Sequence, residues 1–313
     1  MRRLLPALVF VAACATLPTK TPSFSAPSSP AALDSLRQRL RARVAAIPGA
    51  EVAVYFRDFT RADSLLINAD LSMHAASTMK LPVLIELFRR VDAGTLSLDR
   101  TLQVENRFAS IVDGSPYTLD KDDDSDADLY ARIGGPVTVR NLAERMITRS
   151  SNFATNLLIA LLDAKTVNAT AHALGARSIQ VLRGVEDTKA FQKGLNNTTT
   201  ARDLGVLLVA VETQRAASRK SCKAMKDILM RQEFNDEIPA GLPAGTPVAH
   251  KTGWITGTLH DAAIVYPKGS KPYVLVVLTR KIEKEKEAQK LIADLSRLVY
   301  DYTVVRTSSI ASR

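Results

Sequence analysis

A chain of 313 residues with 46% hydrophobic content and a mean hydropathy of −0.01 is long enough to bury a sizeable core as one large domain or two. Its formal charge of +10 comes from Lys and Arg scattered along amphipathic stretches such as Lys281 to Lys290, and aromatic content is only 5%. With no basic run interleaved with aromatics, the composition argues against nucleic acid as a partner and for a basic soluble protein.

Taken in chain order, residues 1–13 read as an export signal. Arg2-Arg3 is its charged region, Leu4 to Val11 its apolar region, and Ala12-Ala13 the small residues before a cut. The apolar run is far shorter than the roughly 20 residues that span a bilayer. Val11-Ala12-Ala13-Cys14 resembles the bacterial lipobox, in which Cys14 becomes the lipidated first residue. An ordinary signal peptide with an incidental cysteine is the alternative. Ala15 carries no acidic inner-membrane retention signal, so the expectation is a periplasmic protein held to the outer membrane by lipid. Residues 14–30, rich in Pro, Ser and Thr, form the lipidated end and a flexible tether. Only Cys222 then remains free, which leaves no intrachain disulfide.

Ala31 to Ala46 reads as an amphipathic helix with Leu33, Leu36, Leu40 and Val44 on one side. Glu51 to Phe59 and Ser64 to Ile67 are strand-like. From Ser77 to roughly Leu229 the pattern is mainly helical, with helices expected at Lys80–Ala93, Val139–Ser150, Phe153–Leu162, Thr166–Leu174 and Thr200–Thr213. Strands return at His260–Tyr266 and Tyr273–Thr279. Glu283 to Tyr302 is a last amphipathic helix, and 303–313 a tail. This order predicts an α/β (α+β) fold. Both chain ends build one antiparallel sheet with flanking helices, an all-α subdomain is inserted at roughly 77–229, and a cleft lies at the junction. The acidic run Asp120 to Asp128 invites a calcium loop, but its sixth position is Ser125 instead of Gly and its twelfth is Ala131 instead of Glu. It reads as a solvated acidic loop, and neither metal nor cofactor is expected.

Three short motifs carry chemistry. Ser77-Thr78-Met79-Lys80 puts a serine and a lysine one helical turn apart, where unpaired N–H groups and the positive end of the helix dipole gather. A hydroxyl there can act as a nucleophile if a base takes its proton and donors receive the oxyanion; the bland alternative is a helix cap followed by a surface lysine. Ser150-Ser151-Asn152 stands at the entry of an apolar helix, and Lys251-Thr252-Gly253 precedes a strand-like run. In this order and spacing the trio is the signature of class A β-lactamases and penicillin-binding proteins. The chain resembles that family from roughly Ala31 to Tyr302, including His74 to Lys80, Arg90 to Gly94, Val139 to Leu142, Met146 to Thr148, Asn156 to Leu158 and Thr198 to Thr200.

The resemblance implies a β-lactamase/D,D-peptidase-like catalytic domain at 31–302 and a role for each motif residue. Ser77 attacks an amide carbonyl, Lys80 receives its proton, and Ser150, held by Lys251, passes a proton to the leaving nitrogen. The N–H groups of Ser77 and Trp254 form the oxyanion hole. Asn152 binds the substrate acylamide, Lys251 with Thr252 binds a carboxylate, and Gly253 lets the substrate backbone run close to the strand.

Four features depart from the family pattern. Ser151 replaces the usual aspartate. His260 stands where many members carry a carboxylate-binding arginine, with a satisfied strand histidine as the alternative. Glu186 is the candidate deacylation base, although a competing alignment puts Gln192 in its place. Asn197 occupies the position of the aspartate that pairs with the loop arginine, here Arg183, and Asn196 stands in for a missing asparagine. The expected activity is therefore a serine hydrolase opening β-lactams. A D,D-peptidase acting on peptidoglycan stem peptides and a penicillin-binding sensor that stays acylated are the alternatives, in each case as a monomer.

Overall fold

The structure, a computed structural model, describes residues 30–310, with the side chains of 305–310 left aside. The signal sequence, Cys14 and nearly all of the tether lie outside the described residues. The chain opens with helix α1 (Pro30–Ala45) and strands β1 (Glu51–Asp58), β2 (Ser64–Ile67) and β3 (Met73–His74). A 3-10 turn over Ala76–Met79 leads into α2 (Lys80–Asp92). Short strands β4 (Thr101–Gln103), β5 (Phe108–Ala109), β6 (Pro116–Tyr117) and β7 (Pro136–Thr138) precede α3 (Val139–Thr148), α4 (Asn152–Leu162) and α5 (Ala164–Ala173). Then come α6 (Thr188–Gln192), β8 (Thr198–Thr199), α7 (Ala201–Glu212) and α8 (Arg219–Leu229). Strands β9 (Val248–Ile255), β10 (Thr258–Val265) and β11 (Tyr273–Arg280) end in α9 (Glu285–Ile310).

The expected architecture holds. Five strands form an antiparallel sheet in the order β2-β1-β11-β10-β9, so the first strand, β1, pairs with the last, β11. Both faces are covered, which explains why the strands read as continuous apolar runs. Val52, Val54, Phe56, Leu275 and Val277 pack against Leu36 and Leu40 of α1 and Leu291, Ile292 and Leu295 of α9. The alternate residues Ala53, Tyr55, Val274, Val276 and Leu278 join the core of the helical subdomain. At the centre of that subdomain lies α4, whose sequence NFATNLLIALL is apolar nearly all round and is buried accordingly.

Several expectations shift in detail. Lys251-Thr252-Gly253 lies inside strand β9 instead of ahead of it, because the polar His250 and Lys251 find buried partners there. The last helix runs on through Ile310 into the segment read as a tail. The acidic run is only partly solvated. Asp126 is buried and takes two bonds from Arg145 at 2.7 Å, while buried Asp124 accepts the N–H groups of Asn152 (3.1 Å) and Phe153 (2.8 Å). Those oxygens hold arginine and a helix N-terminus, so they are not free to hold a cation.

Candidate active site

Three elements bring the motifs together. Ser77 sits in the 3-10 turn ahead of α2, entered through Ala76 at φ +44°, a backbone region that L residues occupy only under constraint. Ala76 N–H donates to Nδ1 of His74 at 3.0 Å, which helps hold that entry. Strand β9 lies directly against the turn. A Cβ on Gly253 would stand 3.0 Å from the backbone nitrogens of both Ser77 and Thr78, so any side chain here would press on the backbone of the turn. The family resemblance assigns this glycine to substrate approach; its first demand comes from the protein's own nucleophile turn.

Lys80, fully buried, donates to the backbone oxygen of Ser150, to Oδ1 of Asn152 at 2.9 Å and, more weakly, to Oγ of Ser150 at 3.3 Å. Burial, and after it the nearby Lys251, hold its pKa well below the ordinary lysine value, against opposing pulls from Asp124 and Glu186. A neutral amine has two N–H donors and one lone pair, so in that state only two of these three contacts can be donated by Lys80, and the lone pair would face the third. Lys251, also fully buried, donates to Ser150 Oγ at 3.1 Å and to Thr252 O at 3.0 Å, and burial lowers its pKa to about 7. Ser150, at φ +58°, thus has its oxygen facing both amines while its own O–H proton stays free to be donated.

Asn152 links the two halves of the site. Besides accepting from Lys80, it donates through Nδ2 to Oε1 of Glu186 at 2.7 Å. Glu186 is half-buried, and burial raises its pKa against the lowering effect of the Asn152 bond. It stands at φ +63° in a loop whose neighbour Val185 is fixed at both ends: Val185 N–H donates to Asn156 Oδ1 at 2.7 Å and Asn156 Nδ2 donates to Val185 O at 3.0 Å. Gly184 permits this approach, since a Cβ there would fall 2.5 Å from Asn156 Oδ1.

The resulting cleft has two arms that share Ser77, Asp123, Asn152 and Trp254. One, of about 500 Å³, includes Glu186, Val185, Arg183, Phe191 and Ile255; the other, of about 450 Å³, runs past Ser150, Thr252 and Gly253 to Phe234, Asp236 and Glu237. Trp254 stands 56% exposed at the mouth. Thus Ser77, Lys80, Ser150, Asn152, Glu186, Lys251, Thr252, Gly253 and Trp254 converge.

His260 does not converge with them, and its expected contact with substrate is corrected. It is wholly buried on β10, with Nε2 against His74 O at 2.9 Å and Nδ1 taking the Thr279 N–H at 3.2 Å. Burial lowers its pKa to about 4, so it is neutral and belongs to the core. Gln192 is exposed at the end of α6 and lines neither arm of the cleft. Asn196 accepts from Arg183 at 3.4 Å. Asn197 binds the backbone of Leu182 and Arg183, not the Arg183 guanidinium. Ser151 caps α4 by accepting from Ala154 N–H at 3.2 Å. Asp124 and Asp187 belong to the surroundings of the site without any mark in the sequence, because acidity alone gives no sign of burial.

The profile of the Beta-lactamase enzyme family matches residues 35–303. Beta-lactamase AST-1 of Nocardia asteroides is 29% identical over 261 residues, which cover 81% of this chain and 79% of that protein. Among solved structures, a mutant of PBP-A in its acyl-enzyme complex with penicillin G aligns with a TM-score of 0.74 at 28% identity, covering 90% of this chain and 98% of that one. The ancestral (GNCA) class A beta-lactamase aligns with a TM-score of 0.71 at 26% identity, covering 86% and 99%.

Proposed function

Because the chain belongs to the beta-lactamase enzyme family, we propose that it opens β-lactams by acylation at Ser77 and frees itself by hydrolysis through Glu186. The observation that carries this is the hydrogen bond from Asn152 to Glu186, which ties a half-buried carboxylate to the Lys80 side of the Ser77 cleft.

Ser77 Oγ attacks the lactam carbonyl as its proton passes to the lone pair of Lys80. Oxyanion charge falls on the N–H groups of Ser77 and Trp254, each such donor contributing about 2.7–4 kcal/mol to the barrier reduction. As the C–N bond breaks, Ser150 gives its proton to the nitrogen, with Lys80 and Lys251 beside its oxygen to stabilise and replenish it. Lys251 and Thr252 receive the substrate carboxylate. In the second half Glu186 takes a proton from water, the hydroxide attacks the ester carbonyl, and Ser77 recovers its proton as the acyl group leaves.

The second reading, a D,D-peptidase acting on peptidoglycan stem peptides, is favoured by one feature: among the described residues no carboxylate lies within ion-pair distance of Arg183 in the Glu186 loop, and Asp187 acts on it only at longer range. Mass spectrometry of a single turnover with a penicillin separates the readings. Rapid return of free enzyme supports β-lactam hydrolysis, whereas a persistent adduct defeats it. Release of D-alanine from a stem peptide then marks the peptidase, and neither activity marks a sensor. Loss of every adduct in Ser77→Ala is expected, and retained labelling would overturn the nucleophile assignment. The lipobox-like Val11 to Cys14 supports an exported, lipid-anchored protein facing the periplasm.

A further inference from the structure

The loop that carries Glu186 is closed without an ion pair at its arginine. Among the described residues the Arg183 guanidinium, nearly buried, donates only to neutral acceptors: Leu195 O at 2.9 Å, Gly184 O at 3.0 Å and Asn196 Oδ1 at 3.4 Å. Yet Glu186 holds a φ of +63°, a conformation that persists only where its surroundings over-determine it. On its N-terminal side the Asn156 amide fixes Val185. On its C-terminal side stands Asp187, a residue only 1% exposed.

Asp187 reaches out of its own loop. Its Oδ1 accepts from Ser110 Oγ at 2.9 Å and from Ala190 N–H at 3.1 Å, and its Oδ2 accepts the Ile111 N–H at 2.9 Å. Ser110 and Ile111 lie in the turn joining β5 and β6. The same hairpin is tied to the loop three times more, by Tyr117 O–H to Val185 O at 3.3 Å and by Lys189 Nζ to Asp113 Oδ2 at 2.8 Å and to Ser115 Oγ at 2.6 Å. The exposed lysine pair contributes little, but a buried carboxylate with three donors loses much if one side is removed.

We propose that Asp187 is a positioning residue for deacylation: by fastening the 108–117 hairpin to the loop through Ser110 and Ile111, it keeps the Glu186 carboxylate at Asn152. This rests on the assignment of Glu186 as the group that activates water. Asp187 donates no proton and bonds no reacting atom; it supplies the anchorage that an ion pair at Arg183 does not. Its effect therefore falls on the second chemical step, whereas Ser77, Lys80 and Ser150 are held by other elements.

The test is stopped-flow measurement of acylation and deacylation with benzylpenicillin, on the full mature chain, for Asp187→Asn, Ser110→Ala and Ser110→Thr. In Asp187→Asn the amide Nδ2 faces a donor and at least one bond is lost. Deacylation should fall tenfold or more with acylation within about threefold, and the acyl-enzyme should accumulate in the mass spectrum. Ser110→Ala, on the far side of the contact, should show the same split more weakly, and Ser110→Thr, which keeps the hydroxyl, should restore deacylation. Asp187→Asn should also displace the acid limb of the deacylation rate, since Glu186 changes its surroundings. Equal loss in both steps, or a lower Tm with both rates unchanged, would overturn the proposal. Ser110→Ala provides the reading if Asp187→Asn does not fold. Glu186→Gln separates the two levels of inference. If it leaves deacylation intact, the water-activating assignment falls and this proposal with it; if it traps the acyl-enzyme while Asp187→Asn and Ser110→Ala do not, this proposal alone falls.

Discussion

Asn152 Nδ2 donates to Glu186 Oε1 at 2.7 Å. Because the other end of the same amide accepts from Lys80, one planar group sets the distance between Lys80 and Glu186, the residues proposed to take the Ser77 proton and to activate water. On the proposed mechanism a single side chain couples the two chemical steps.

That coupling gives the first expectation. Asn152→Ala leaves a half-buried carboxylate and a buried amine each short of a partner, at a cost of about 1–3 kcal/mol apiece. Acylation and deacylation should both slow by roughly tenfold to a hundredfold. Loss confined to substrate binding, a raised KM with unchanged kcat, would show that the amide serves only the acylamide of the substrate.

Glu186→Gln keeps the bond from Asn152 possible but removes the proposed base. Acylation should remain near wild type while deacylation falls by about 10²–10⁴, leaving a stable adduct visible by mass spectrometry. Unchanged turnover would mean that another group activates the water.

The lysines set a pH dependence. Burial lowers Lys251 to about 7, so its ammonium is present below that pH and is lost as pH rises through it. KM for an anionic β-lactam should therefore rise between about pH 7 and 9. Lys251→Arg, always charged, should flatten that rise even if its overall activity is low. Burial raises Glu186, so the acid limb of kcat should lie above the ordinary glutamate range. A KM independent of pH over this window would remove Lys251 from carboxylate binding.

Gly253→Ala places a methyl 3.0 Å from the Ser77 and Thr78 nitrogens, which are backbone and cannot swing aside. The strain costs about 1–3 kcal/mol and shows as a Tm lower by several degrees. Because the displaced atoms belong to the nucleophile turn, kcat/KM should fall by more than the stability loss accounts for. Wild-type kinetics in a folded variant would contradict the close approach.

For the anchor, Cys14→Ser should move the protein from the detergent phase to the aqueous phase in a partition assay. A wild-type protein already in the aqueous phase would end the lipoprotein proposal.

Much of the fold and of the site is legible in the amino-acid sequence. The strands β1 and β11 announce themselves because both faces are buried, and the helical block because its apolar residues recur at helical spacing. The motif residues Ser77, Lys80, Ser150, Asn152 and Lys251 are recognisable because their spacing is the signal. What is not legible depends on direction and partner. Nothing in the run Asp120 to Asp128 says that Asp124 turns inward to cap α4, where Ser151 has no carboxylate to offer. His260 carries the same ambiguity: a strand position fixes that it points to one face, but only the packing of His74 and Thr279 shows that its nitrogens are already occupied. The place of Lys251 inside β9 is hidden for a related reason, since a lysine breaks a strand pattern unless the fold supplies Ser150 and Thr252 as its acceptors.

The pairing of β1 with β11 has a further consequence for how the chain acquires its chemistry. A ribosome releases Ser77, Lys80 and Glu186 long before it releases β9, so the nucleophile turn emerges without the strand that packs against it and without its second lysine. Contacts of such long sequence separation form late and close slowly. A chain truncated ahead of Val248 keeps the nucleophile and lacks Lys251, the Gly253 wall and the Trp254 N–H. Appearance of penicillin labelling during refolding should therefore follow completion of the sheet, in which β1 pairs with β11 and β9 stands at the edge.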